Sequence, residues 1–137
     1  MKPWQLKRLN RELRDYPFVL QSDEDTISFH FGKYFIIASD FSRYPFFPPQ
    51  ISIDGKPLSY TPSYFPPRLL EDYSKKHPCP CCVSIMCPEN WSPSFGIKDI
   101  LHEYVLFVNK LITFQKLKMF KGAKLPNDMI YEIASFF

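Results

Sequence analysis

The chain reads as an α+β protein, and three observations say so. Apolar residues recur every three or four positions near the start. They alternate across residues 26–39 and return to three- and four-residue spacing after Trp91. The resulting order is helix, antiparallel strands, a long irregular middle, then helices, with no regular alternation of strand and helix. At 137 residues the chain is long enough for one domain and short for two, so a single domain over 1–137 is expected. Its 45% hydrophobic and 18% aromatic content can fill a core and argues against disorder.

PWQLKRLNRELRDY predicts an amphipathic helix over 2–16. Trp4, Leu6, Leu9 and Leu13 share one face, Lys7, Arg8, Arg11 and Arg14 share the other, and Pro3 suits the first turn. TISFHF alternates as a strand with Ile27, Phe29 and Phe31 on one side. Gly32-Lys33 then turns the chain into a second strand, YFIIAS. QISIDG predicts a third, with a turn at Asp54-Gly55, so the meander spans about 26–54. Most of the 14 prolines fall between residues 45 and 93 and lack amide donors, which makes that stretch loop-rich. Within it RLLEDYSKK reads as a short helix. IKDILHEYVLFVNKLITFQKLKMF is the longest helical pattern, expected over about 96–118. LPNDMIYEIASFF predicts a closing helix capped by Asn127 or Asp128.

The net charge of +3 is too small to suggest nucleic acid as a partner, and KRLNRELR and KLKMFKGAK read as solvated helix faces. The start lacks the apolar core of a signal peptide, and no run of about 18 apolar residues occurs. A cytoplasmic or nuclear location and no membrane are therefore expected. In a reducing compartment disulfides are disfavoured, and clustered thiols point to metal or catalysis.

That makes HPCPCCVSIMCPENWSPSF the informative stretch, since it holds Cys79, Cys81, Cys82 and Cys87. Four thiolates can hold zinc tetrahedrally. The spacing here is compact, however, and adjacent Cys81 and Cys82 point apart in extended backbone. Pro80 and Pro88 permit the irregular backbone such a site needs. Taken singly, Cys79, Cys81 and Cys87 also suit small buried positions. Trp91 and Pro93 read as packing and turn residues, His30 and His102 as structural, and Asp99 with Glu103 as a solvated face. The chain has no Gly-rich phosphate loop and no Ser-His-Asp arrangement.

Four segments resemble, in order, those of ubiquitin-conjugating enzymes. KRLNRELRDY resembles the first helix of that family, and YPFFPPQISI resembles its YPF-x-PP segment. NWSPSFGIKDIL resembles its WSPALTI and following helix, and NDMIYEIASFF its closing helix. The tail also resembles the start of an F-box, which needs roughly three times as many residues. The resemblance implies a ubiquitin-conjugating core fold with an insertion near 56–76, where the chain is longer than the family pattern. It implies a cysteine that accepts ubiquitin or a ubiquitin-like protein from an activating enzyme as a thioester. The acyl group then passes to a substrate lysine or to a ligase. A thiolate suits both steps, as nucleophile and as leaving group. No cofactor is implied.

Two alignments of the cysteines follow from the resemblance. In the first, Cys82-Val83-Ser84-Ile85-Met86 matches CLDIL and Cys82 is the nucleophile, with Trp91 nine residues on against the usual eight. The amides of a turn over Val83–Met86 would then lower its pKa. In the second, His77-Pro78 matches the family's His-Pro-Asn and Cys87 is the nucleophile, with Cys79 in place of Asn. Cys82 is the first choice and Cys87 the alternative. Neither alignment retains the Asn, and losing one such donor costs about 10²–10³ in rate. A slow enzyme, a donor from elsewhere, and an inactive binding module with or without zinc on the four cysteines remain open. The resemblance also assigns the Phe46 loop and Ser92-Pro93-Ser94 to ligase contact. Beside them, the arginine face of Arg8, Arg11 and Arg14 joins the surface for activating enzyme or ligase.

Overall fold

A computed structural model describes residues 1–122, so the expected closing helix lies outside the described residues. The fold is α+β. Helix α1 (Pro3–Glu12) is followed by β1 (Phe18–Gln21), β2 (Thr26–Phe31), β3 (Tyr34–Ser39), β4 (Gln50–Ile53) and β5 (Lys56–Pro57). Then come α2 (Pro67–Lys76), the one-turn α3 (Pro80–Val83) and α4 (Ile97–Gly122). The chain divides into two compact units. The first comprises residues 1–60 and 81–101, and the second 61–80 with the described residues from His102 onward.

In the first unit the five strands form one antiparallel sheet in sequence order. Phe31 pairs with Tyr34, so Gly32 and Lys33 are the whole β2–β3 turn, as the sequence predicts. Ile53 pairs with Lys56, and Asp54 and Gly55 both take positive φ, at 50° and 82°. This is the two-residue turn that Asp-Gly favours, because its twist matches the strands it joins. Ile27, Phe29, Ile36, Ala38 and Ile51 turn one sheet face inward, and Leu9, Leu13, Phe41, Tyr44, Ile97, Ile100 and Leu101 complete that core. Each fully buried aliphatic side chain contributes about 1.5–3 kcal/mol.

Helix α1 departs from expectation in three ways. It ends at Glu12 rather than near 16: Leu13 leaves helical backbone at φ −103° and ψ 30°, the Leu13 carbonyl accepts from Tyr16 in a tight turn, and Pro17 bars the helix from resuming. The chain thereby frees Phe18–Gln21 to pair with β2 as a strand the sequence reading missed. Four residues are too few for alternation to stand out. Trp4, expected on the buried face, is 48% exposed, while Gln5 beside it is buried. Gln5 accepts from the Lys2 amide at 2.8 Å and donates to the carbonyls of Phe41 (2.7 Å) and Tyr44 (2.9 Å). With donors and acceptor all used, the buried amide carries little penalty.

In the second unit Phe65, Leu69, Tyr73, Tyr104, Phe107 and Leu111 are buried. Tyr73 stacks on His77 at 4.0 Å and meets Phe107 and Phe114 edge-on. Asp72 pairs with Lys118. RLLEDYSKK is helical within α2, as read from sequence, and residues 61–76 of the expected insertion belong to this unit.

Candidate functional site

Three stretches far apart in sequence meet in the first unit. The indole N–H of Trp91 donates to the Pro45 carbonyl at 2.8 Å, fastening Trp-Ser-Pro to the Tyr-Pro-Phe-Phe loop. Tyr44-Pro45 is a cis peptide. From α1, Arg8 donates to the carbonyls of Pro93 and Phe95, the latter at 2.9 Å. Arg8 therefore does not sit on a purely solvated face. Its Nε also donates to Glu12 at 2.8 Å, one helical turn on.

Glu12 in turn accepts from the Tyr44 hydroxyl. Burial, and then the Glu12 carboxylate, push the Tyr44 phenol far above its ordinary pKa, so it stays a neutral donor. Burial works against the Arg8 charge, but hydrogen bonds to Glu12 and Tyr44 outweigh it and raise its pKa. Gly96 lies against the same carboxylate: a Cβ there would stand 2.8 Å from Glu12 Cδ. The Gly96 amide donates to Asp99 Oδ2 at 2.8 Å, which caps the start of α4.

Beside this network runs an open groove of about 670 Å³, lined in part by Trp4, Lys7, Arg11, Pro45 and Lys98. Phe46 is 64% exposed. Phe47 lies under the Arg43 guanidinium, 4.2 Å from its ring centre.

The cysteines differ in placement. Cys79 belongs to the second unit, and Cys81, Cys82 and Cys87 to the first. Cys81 and Cys82 both lie in α3, not in extended backbone, and their sulfurs come within 4.8 Å of one another. Cys82 is exposed and Cys87 half-buried. His77 caps the C-terminal end of α2, its Nδ1 3.0 Å from the Tyr73 carbonyl, and is occupied as a structural residue of the second unit.

After Cys82 the chain makes a closed turn. Ser84 is wholly buried, its Oγ 2.6 Å from the Tyr60 hydroxyl and accepting from the Met86 amide at 3.0 Å. The Cys87 amide donates to the Ser84 carbonyl at 3.1 Å. The Cys87 carbonyl accepts from the amides of Asn90 (2.8 Å) and Trp91 (2.9 Å). The Asn90 side chain donates to the carbonyls of Cys82 (2.8 Å) and Ser84 (3.0 Å). Sequence reasoning missed Ser84, Asn90, Glu12 and Gln5. The first two left a faint signal: serine and asparagine are the residue types that bond nearby backbone in turns. The last two are tied into the site by partners at least 32 residues away, Phe41 and Tyr44 for Gln5 and Tyr44 for Glu12, which no local pattern discloses.

Set against protein-family models, curated protein sequences and solved structures, the chain finds no match.

Proposed function

We propose that the protein is a ubiquitin-conjugating enzyme of divergent sequence, with Cys82 as its thioester nucleophile. One observation carries the reading. Three segments that resemble that family, on α1, in Tyr44–Pro49 and at Trp91–Phe95, are joined by hydrogen bonds in one unit, with an exposed cysteine nearby in sequence. Exposure favours Cys82 over Cys87, since the acyl group arrives on another protein. The Cys82 thiolate attacks the carbonyl carbon of the modifier's terminal glycine. A C–S bond forms as the activating enzyme's thiolate leaves. A lysine amine then forms the amide, Cys82 departs as thiolate, and the surplus amine proton passes to solvent. ATP is spent by the activating enzyme, so this chain needs no cofactor of its own. The groove beside Trp4 and Arg11, with exposed Phe46, is the surface assigned to activating enzyme or ligase.

The test is incubation with activating enzyme, ATP and ubiquitin or ubiquitin-like proteins, read on a non-reducing gel. A thiol-labile adduct at Cys82 supports the reading, and no adduct with any modifier sinks it. A second reading, an inactive relative that only binds modifier or ligase, draws on the absence of His-Pro-Asn. Binding without an adduct would favour it, and zinc in the purified protein would mark the cysteines as its ligands.

A further inference from the structure

We infer that Asn90 is the positioning residue for Cys82, an inference that rests on the thioester reading above. Helix α3 has one turn, Pro80–Val83, and Cys82 lies in it. The Asn90 amide group bonds the carbonyl of Cys82 within α3 and that of Ser84 just beyond it, the latter shared with the Cys87 amide. Nδ2 carries two hydrogens, and the carbonyls of Cys82 at 2.8 Å and Ser84 at 3.0 Å take both. One side chain thereby holds the first and the third peptide after the nucleophile. Asn90 is itself held. Its backbone amide donates to the Cys87 carbonyl, and its neighbour Trp91 is tied to Pro45. The position of the exposed Cys82 is thereby referred through Asn90 to the loop at Pro45.

Chemistry follows from the donor count. With both hydrogens committed to backbone, Asn90 has none for the oxyanion of the attacked glycine. It acts on where the sulfur points, not on the charge that develops. A nucleophile that must meet a carbonyl within about 3–3.5 Å loses as much as 10²-fold from a displacement of roughly 1 Å.

The experiment uses the full chain with Cys79, Cys81 and Cys87 changed to Ser, so that Cys82 is the single thiol. Asn90, Asn90→Ala and Asn90→Gln versions are compared by three measurements. These are amide hydrogen exchange at residues 83–87, the pH profile of Cys82 alkylation by iodoacetamide, and the kinetics of charging by loaded activating enzyme. With Asn90→Ala, exchange at 83–87 should quicken at least tenfold while the sheet is unchanged. Charging turnover should fall roughly 10- to 100-fold at constant KM, as expected of lost orientation. The alkylation midpoint should stay in place. Asn90→Gln, which keeps both donors, should recover part of the turnover.

Unchanged exchange at 83–87 overturns the inference, as does unchanged turnover. A displaced alkylation midpoint also overturns it, because Asn90 would then act on the thiolate's charge. If the Asn90 parent is never charged, the thioester reading fails and the positioning role falls with it. Exchange then reports whether Asn90 still anchors the turn.

Discussion

Trp91 and Pro45 stand 46 residues apart in sequence and are joined by one hydrogen bond, indole N–H to carbonyl, at 2.8 Å. Pro45 is buried, so its carbonyl has little access to water as a substitute partner. Trp91→Phe keeps an aromatic ring and removes the donor. The expected loss of stability is about 1–3 kcal/mol, the cost of an orphaned buried carbonyl. Urea unfolding measures it, and a loss indistinguishable from zero would mean that the bond adds nothing net.

Cys82→Ser should convert a thiol-labile adduct into an ester that survives reductant. The hydroxyl attacks slowly, and its ester resists exchange with thiols. Cys87→Ser should leave the labile adduct intact. The reverse pattern on reducing and non-reducing gels would transfer the nucleophile's role to Cys87.

Reversing Arg11 and Arg14 to Glu should slow charging or discharge and leave the fold alone, since both are exposed. Arg8→Glu is a different experiment. It places a carboxylate against the carbonyls of Pro93 and Phe95 and beside Glu12, so it should unfold the protein more readily. Circular dichroism melts alongside charging rates separate the two cases. Equal melting losses for all three arginines would contradict this division.

Gly96→Ala should cost about 1–3 kcal/mol, because a Cβ meets the Glu12 carboxylate at 2.8 Å and the site is already packed. In a protein carrying Glu12→Ala the same change should cost much less. A double-mutant cycle on unfolding free energies reads the coupling directly, and additive losses would show that the clash relaxes elsewhere.

Tyr44 gives the protein an alkaline limit. Its phenol is raised in the folded state by burial and by Glu12, while an unfolded tyrosine ionises near pH ~10. Below that pH both states hold the proton and the contribution is complete. Above it the unfolded state loses the proton first, so stability falls as pH rises. Tyr73, raised by burial, adds in the same direction. Phenolate absorbance should therefore show Tyr44 and Tyr73 ionising late, and Tyr44→Phe should remove the first of these contributions.

What the sequence disclosed follows period and range. β2 and β3 were legible to the residue, because six-residue alternation and Gly32-Lys33 are local signals. α2 was legible as a short helix and most of α4 from three- and four-residue spacing, although α4 extends to Gly122. β1 was hidden by its length, and α3 by the assumption that adjacent cysteines run extended. Around the site, the cysteine cluster and the Trp-Ser-Pro and Tyr-Pro-Phe-Phe loops were visible as motifs, but Cys79 and Cys81, which singly suit buried positions, are exposed. What holds the loops was not visible. Gln5 reads as a surface residue on a charged helix until the carbonyls of Phe41 and Tyr44 are seen to need it.

The sheet, in which every strand pairs only with its neighbours in the chain, sets an order of assembly. Hairpins of local contacts form rapidly, on the scale of about 1–10 μs, and each can template the next. The bonds from Trp91 to Pro45 and from Arg8 to Phe95 close loops of 46 and 87 residues and pay far more chain entropy. A nascent chain would therefore own its sheet well before it owned its candidate site.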